Sequence, residues 1–177
     1  MRDRPARTRP AEVLSWQLAD DGAIPNNPTL PLLLYRRAVA LPDADPASLF
    51  ESLFTANGWP AAWRNGIFPF HHFHSTAHEV LGVYGGSATA RFGGESGIEV
   101  TVSVGDVVVV PAGVGHKAIE ASADLGIVGA YPAGTSPDLC RGAPRERARC
   151  LDAIALVAIP ERDPLYGDEG PLHRHWS

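Results

Sequence analysis

The 177-residue sequence predicts an all-β fold with accessory helices, arranged as an antiparallel sandwich or barrel. Seven short, mostly apolar segments are predicted as strands, and glycine or proline stands in several of the connections. These segments are 68–74, 78–84, 87–92, 98–104, 106–110, 116–121 and 125–131. Closely spaced short strands that are broken in this way are typical of sandwiches and barrels. The length suits one domain with a sizeable core and is short for two.

The chain before these segments divides into an arm and the start of the domain. Residues 1–12 are rich in arginine and proline, a composition that buries little apolar surface, so we expect a flexible N-terminal arm. The remainder, 13–177, is expected to be a single domain. Its first strands are predicted at 13–18 and 32–35, where apolar residues cluster between turn signals.

Two helices are predicted. The first lies near 46–57, because Asp45 can cap it, Pro46 suits its first turn and apolar residues recur at helical spacing on one side. This apolar stripe predicts a helix that packs across the outside of the sheet. A second helix is predicted near 144–155 from the same kind of spacing. Beyond it, residues 163–177 are expected to form a surface tail.

The residues best suited to bind a metal are concentrated in two stretches, HHFHSTAHEVLGVYGG (71–86) and GDVVVVPAGVGH (105–116). His72 and His74 are two residues apart, so on a β-strand both side chains project from the same face. Glu79 opens the next apolar run, and His116 follows a strand and a Pro-Gly turn. Three neutral imidazoles and one carboxylate are a suitable ligand set for a divalent transition metal.

The spacing of these residues resembles the paired motifs of the cupin superfamily, and every metal-ligand position of both motifs is filled. The stretch WRNGIFPFHHFHSTAHEVLGVYGG also resembles the sequences of bacterial single-domain cupins of the YjlB type. One departure is Glu120, where the second motif often has an asparagine that is not a ligand. The resemblance implies a cupin-type double-stranded β-helix, a jelly-roll barrel, with the metal inside.

The resemblance implies one metal ion, Fe, Mn, Ni or Zn, bound by His72, His74, Glu79 and His116. A six-coordinate ion would keep two positions for a small chelating substrate, or for a substrate atom and dioxygen. We therefore expect a metal-dependent enzyme of the oxygenase type, such as a dioxygenase. A redox-inert isomerase, lyase or decarboxylase, and a non-catalytic small-molecule-binding cupin, remain open alternatives, and no catalytic acid or base stands out.

Several neighbours of the ligands are candidates for substrate contacts. Phe70 and Leu81 share strand faces with the ligands. Arg64 and Asn65 precede the first motif and could pair with a carboxylate, and Tyr131 could serve as a lid. Each of them could equally be a structural residue. His78 is an ambiguity, because an irregular turn after the His-x-His pair would let it replace one of the named ligands.

The charge and the remaining residues limit the partners. A net charge of −5 argues against a nucleic-acid partner, which needs a basic face. No apolar run approaches the roughly 20 residues that span a bilayer, and no signal-peptide core is present, so we expect a cytoplasmic protein.

The two cysteines are expected to be free thiols. The pair His173 and His175 has no third ligand near it in the sequence, so we expect it to belong to the surface tail and not to a metal site. Apolar strands such as 107–110 could pair with a second copy of the chain, which would give a homodimer.

Overall fold

A computed structural model describes residues 7–60 and 63–177. Nine strands and three helices follow one another in the described ranges: β1 Glu12–Trp16, β2 Leu32–Arg36, α1 Pro46–Ala56, β3 Trp63–Asn65, β4 Glu79–Gly85, β5 Ser87–Phe92, β6 Ile98–Ser103, β7 Val107–Val110, β8 His116–Ala121, β9 Gly126–Ala130, α2 Arg147–Leu156 and α3 Leu172–His175. A single 3₁₀ turn, Pro144–Glu146, leads into α2.

The strands form two antiparallel sheets that face each other. One has six strands in the order β1-β2-β7-β4-β9-β3, and the other has three in the order β6-β5-β8. An inner core joins them, with side chains such as Leu81 of β4, Phe92 of β5 and Val108 of β7 in one buried cluster. This arrangement confirms the predicted all-β jelly roll with accessory helices. Strand β7 lies between β2 and β4, so the apolar run 107–110 is not a free edge for dimer pairing.

The helix α1 packs on the outer face of the six-stranded sheet, as its apolar stripe predicts. Phe50 and Phe54 are fully buried there, and Ser48 N–H donates to the Asp45 carboxylate at the start of the helix. Gly82 of β4 makes the close approach possible, because a Cβ at this position would lie 2.6 Å from the Phe50 ring. Val80 shares this outer face, while Leu81 alternates to the inner one.

The segment 68–74, predicted as a regular strand, is held by isolated bridges instead. His72 bridges His116, and Phe73 bridges Cys140. The chain bends at Pro69, which has no N–H to donate to a ladder, so a continuous strand does not form across it. The segment therefore lies beside β8, where His72 pairs with His116, and its Phe73 pairs with Cys140.

The C-terminal residues are buried, so the prediction of a surface tail at 163–177 is wrong. Leu165, Leu172 and Trp176 are at most 1% exposed and belong to the outer core. The buried Asp163 carboxylate organises the segment, since it accepts hydrogen bonds from Tyr35 Oη (2.7 Å) and three backbone N–H groups. Trp176 Nε1 donates to the Pro31 carbonyl at 2.8 Å and fixes the end of the chain.

The predicted arm is partly ordered. Residues 1–6 lie outside the described ranges, but Arg9 N–H donates to Ala38 O and Ala40 N–H donates to Arg7 O, both at 2.8 Å. From residue 7 onward the chain is thus fixed to the domain. Within the described ranges, no helix has the length and apolar character required to cross a bilayer.

Candidate metal centre

Backbone pairing brings the first two imidazoles together. His72 N–H donates to His116 O at 3.3 Å, and His116 N–H donates to His72 O at 2.9 Å, so the two residues stand directly opposite each other. Their ring centroids are 4.1 Å apart. His74 projects from the same side of its segment, and its ring centroid is 6.0 Å from that of His72. One ligand nitrogen of each ring lies within 4.8 Å of the other two.

A backbone carbonyl contacts the Nδ1 atom of each imidazole. Phe70 O lies 3.1 Å from His72 Nδ1, Val114 O lies 3.2 Å from His116 Nδ1, and Asp138 O makes the equivalent contact with His74. A carbonyl only accepts, so each neutral ring carries its proton on Nδ1. The Nε2 lone pairs are then available to a metal, and this is the tautomer that metal-binding histidines need.

Glu79 completes the cluster from the first position of β4. Its side chain is 2% exposed, and its Oε2 atom lies 3.3 Å from His74 Nε2 and 3.2 Å from His116 Nε2. These distances fit ion pairs, yet Oε2 has no hydrogen-bond partner of acceptable geometry among the described residues. A buried carboxylate oxygen without a partner is costly in a folded protein. A cation between this oxygen and the Nε2 atoms would satisfy it, so the residues present fit a metal.

The surroundings set the charge of these groups. Burial, together with neighbouring His116, lowers the pKa of His72 to about 3, so this ring is neutral at pH 7. Burial also opposes protonation of His74, but Glu79 outweighs it and raises the pKa of that imidazole. Burial works to raise the pKa of Glu79, whereas His116 and His74 hold it below its ordinary value. The carboxylate is therefore ionised, and the centre attracts a cation.

A cavity of about 480 Å³ opens onto this cluster. Its wall is mainly apolar, with a few polar groups at one side. Besides the three histidines and Glu79, it is lined by Trp63, Arg64, Asn65, Gly66, Ile67, Phe68, Pro69, Leu81 and Tyr131. A mostly apolar cavity with a few convergent polar groups is typical of a small-molecule site.

The expected substrate contacts have different outcomes. Leu81 lines the cavity, but Phe70 is not among the lining residues and stacks instead on Phe68, with centroids 4.9 Å apart. Arg64 also lines the cavity, and its guanidinium binds the Glu51 carboxylate of α1 at 2.6 Å, so its charge already has a partner within the chain.

Sequence reasoning missed Trp63, which precedes Arg64 on β3. Arg64 pairs with Val128, a residue of the outer core, so Trp63 and Asn65 alternate to the inner side. Both line the cavity. Strand alternation applied to the WRN stretch would have found Trp63, had the segment been assigned as a strand.

Tyr131 is a polar residue of the cavity wall that contacts a ligand. Its hydroxyl accepts a hydrogen bond from Trp63 Nε1 at 3.0 Å, and its ring meets that of His74 edge-on, with centroids 5.4 Å apart. Burial and the nearby Glu79 charge raise the pKa of Tyr131 above its ordinary value. The phenol therefore keeps its proton at neutral pH and can act as a hydrogen-bond donor inside the cavity.

The ambiguity over His78 is resolved by its hydrogen bonds. Its Nδ1 atom accepts from Ala112 N–H at 2.8 Å, and its Nε2 atom contacts Ala158 O at 3.2 Å. Burial lowers the pKa of His78 to about 4, and its ring packs on Trp176. With both nitrogens engaged away from the cluster, His78 is a core residue. His173 likewise contacts a backbone carbonyl, that of Pro160, at 2.9 Å.

Comparison with known proteins identifies related sequences. A family model described as Cupin matches residues 62–127. The protein named "Uncharacterized protein YjlB" of Bacillus subtilis (strain 168) is 40% identical over 165 residues, which cover 93% of this chain and 97% of that protein. The similarity to this relative therefore extends over nearly the whole length of both chains.

Solved structures align over smaller parts. The epimerase RmlC from Legionella pneumophila Philadelphia 1, in complex with dTDP-4-keto-L-rhamnose, aligns with a TM-score of 0.37 and 14% identity over 68% of this chain and 72% of its own. An 11S allergen from Cocos nucifera aligns with a TM-score of 0.37 and 18% identity over 45% of this chain. The aligned part is 24% of that allergen, so the present chain matches about a quarter of its length.

Proposed function

The chain belongs to the cupin superfamily, and we propose that it is a metal-dependent enzyme of the oxygenase type that acts on a small chelating substrate. The proposed ligands of its single divalent transition metal are His72, His74, Glu79 and His116. The proposed substrate is a small molecule that binds through two oxygen atoms in the cavity. A cytoplasmic location and a homodimer belong to the same proposal.

The proposal rests on one observation: the ligand atoms of the cluster are left available to a metal by the hydrogen bonds around them. Each of the three imidazoles meets a backbone carbonyl at Nδ1, which leaves three Nε2 lone pairs free. Glu79 Oε2 lies beside two of these nitrogens, where it is buried and has no hydrogen bond from any residue that the structure describes. A core of ordinary hydrogen-bonded histidines would instead pair these atoms with one another.

The residues around the ligands suit a reaction on a bound small molecule. A bound transition metal would supply a Lewis acid and a route for electrons. The apolar wall formed by Ile67, Phe68 and Leu81 would exclude water and orient the carbon skeleton of the substrate. Tyr131, with its proton retained, would donate a hydrogen bond to a substrate oxygen held near Glu79.

Tyr131 also favours a second candidate, a redox-inert isomerase, lyase or decarboxylase. Such reactions move a proton to or from carbon or oxygen next to a carbonyl, and a buried phenol can serve as the general acid. Its hydroxyl already accepts from Trp63 Nε1, and this hydrogen bond does not use the proton of the phenol. A non-catalytic small-molecule-binding cupin would use the same cavity without this proton.

Elemental analysis of protein purified without added metal tests the ligand set. We expect about one transition-metal ion per chain in the unaltered protein and a large loss in His74→Ala and His116→Ala. His71→Ala is the matched control, because its ring pairs with the exposed Glu95 at 2.7 Å instead of joining the cluster. Full metal content in both ligand variants would refute the assignment.

A second assay separates the candidate reactions. The Fe(II)-loaded protein is incubated with a panel of α-hydroxy and α-keto carboxylates while dioxygen uptake is recorded, and parallel anaerobic mixtures are followed by proton NMR. Substrate-dependent dioxygen uptake that His116→Ala abolishes would support the oxygenase. Isomerisation or decarboxylation without dioxygen would favour the redox-inert enzyme, and binding without turnover would favour the non-catalytic cupin.

A further inference from the structure

A second cluster of metal-ligating side chains lies behind the His segment. Phe73 stands between His72 and His74 but points to the opposite face, into a small buried cluster with Cys140 and Cys150. Both cysteines are free and fully buried. The backbone of Cys140 pairs with that of Phe73 in both directions, at 2.9 and 3.0 Å, so the thiols are fixed to the segment that carries the histidines.

The thiols come from separate elements yet converge with a carboxylate. Cys140 lies in an extended bridge, and Cys150 lies in α2, one turn beyond Glu146. The two Sγ atoms are 3.4 Å apart. A carboxylate oxygen of Glu146 and both Sγ atoms all lie within 4.8 Å of one another.

From this juxtaposition we propose that Cys140, Cys150 and Glu146 bind a second divalent cation, of the thiol-preferring class typified by Zn²⁺. Two thiolates and one carboxylate provide three protein ligands, and the partly exposed side of Glu146 leaves room for a water molecule as the fourth. This inference concerns a site separate from the cavity, and it does not depend on the function proposed above.

The distances fit a shared cation. Two sulfurs bound to one tetrahedral zinc, each at ~2.3 Å, stand about 3.8 Å apart, and the thiols here are 3.4 Å apart. A disulfide would need a much shorter approach, of about 2.05 Å between the sulfurs. Glu146 also accepts a hydrogen bond from Arg141 N–H at 3.2 Å, which holds its carboxylate beside the two sulfurs.

A bound cation offsets most of the negative charge around the thiols. Two thiolates and the carboxylates of Glu146 and Asp138 would carry four negative charges. A divalent ion and the Arg149 guanidinium, which lies 3.7 Å from Cys140 Sγ and 3.3 Å from Asp138, supply three positive charges. Asp138 Oδ2 also contacts the Cys140 sulfur, at 3.2 Å.

Binding must release protons, which gives the site a pH dependence. A metal binds thiolates, so its apparent affinity at this site rises with pH. Asp138 also contacts His74 Nδ1 through its carbonyl, which connects the thiol cluster to the first metal centre.

Cobalt substitution separates the two sites in the full-length reduced protein. Co²⁺ bound to thiolates shows sulfur-to-metal charge-transfer absorption, whereas a site of imidazoles and carboxylate does not. Titration of metal-free protein with Co²⁺ should therefore reveal this band and a total of two ions per chain. Zn²⁺ added afterwards should abolish the band and release cobalt.

Three variants assign the band. Cys150→Ser should remove it and lower the stoichiometry from two ions to one, while His116→Ala should lower the stoichiometry and keep the band. Glu146→Gln leaves both buried sulfurs in place, so it serves where Cys150→Ser fails to fold, and it should weaken cobalt binding at the thiol site at least about tenfold. Circular dichroism verifies the fold of each variant.

Three results would overturn the second site. The first is a reduced protein that takes up one cobalt ion and shows no charge-transfer band. The second is a band that persists unchanged in Cys150→Ser and in Glu146→Gln. The third is loss of both titratable thiols in the purified protein with recovery only after a reductant, since that would identify a disulfide in place of a metal site.

Discussion

At the scale of single residues, backbone contacts fix the orientation of the side chains in the candidate metal centre. Three carbonyls, from Phe70, Val114 and Asp138, fix the imidazole tautomers. The position of Glu79 at the first residue of β4 brings its carboxylate to two of the Nε2 atoms. Removal of one ligand should therefore reduce metal binding more than it disturbs the fold.

Glu79→Gln tests the carboxylate. The substitution conserves volume and removes the negative charge, so we expect metal affinity to fall at least about tenfold. Mutation of a residue that only hydrogen-bonds a metal ligand already costs about this much, and loss of a ligand should not cost less. Affinity is measured by competition with a chromogenic chelator. The control is the far-ultraviolet circular dichroism of the metal-free variant, which should match that of the parent. An unchanged affinity would exclude Glu79 as a ligand.

Asp138 predicts a pH dependence of stability. Burial works to raise the pKa of this carboxyl, but hydrogen bonds from Ser75 outweigh it and lower the pKa to about 2, from an ordinary value of 3.8. A lowered folded-state pKa contributes stability above pH ~4, and this contribution is lost as the pH falls toward 2. Because the side chain is 25% exposed, we expect the contribution to be about 1 to 2 kcal/mol.

Urea unfolding of the metal-free protein between pH 6 and pH 2 measures this contribution against Asp138→Asn. The difference in unfolding free energy between the two proteins should be constant from pH 6 to about 4.5 and should shrink below pH 4. A difference that does not change over the whole range would show that the Ser75 hydrogen bonds do not stabilise the ionised carboxylate.

At the scale of elements, the C-terminal segment completes the outer core of the six-stranded sheet. Trp176 and Leu172 pack in the same cluster as Phe50 and Phe54 of α1. Trp176 also contacts His78, the residue before Glu79, with ring centroids 4.7 Å apart. The end of the chain thus supports the start of β4 from the side opposite the metal centre.

Trp176→Ala should lower the free energy of unfolding by about 3 to 5 kcal/mol, because it removes a fully buried indole and leaves a cavity. Leu156→Ala is the matched control, since this leucine is 84% exposed and its loss should change stability by no more than about 0.5 kcal/mol. Urea unfolding measures both variants. If the two variants had the same free energy of unfolding, the C-terminal segment would be a surface tail and not part of the core.

Local pattern determines how far these elements could be predicted. Helix α1 and β5 begin and end close to their predicted bounds, because capping and alternation are local signals. The C-terminal segment could not be assigned, since the burial of Leu165 and Trp176 depends on a sheet formed by distant residues. Arg64 shows the same limit: its partner Glu51 is thirteen residues away on another element.

At the scale of the whole molecule, the jelly roll brings residues from distant parts of the sequence to one point. Glu79 and His74 could be placed together because their motif is contiguous, and His116 because the second motif resembles that of a known family. The convergence of Cys140 with Cys150 and Glu146 could not be predicted. Their spacing matches no known ligand pattern, and only the packing of α2 on the bridge of Phe73 brings them together.

The most direct test of the central claim is an anomalous difference map from crystals grown with the metal that elemental analysis identifies. We predict a peak about 2.0 to 2.2 Å from Nε2 of His72, His74 and His116 and from a Glu79 carboxylate oxygen. A map without a peak among these four side chains, or with the ion bound elsewhere while they remain hydrogen-bonded to one another, would contradict it.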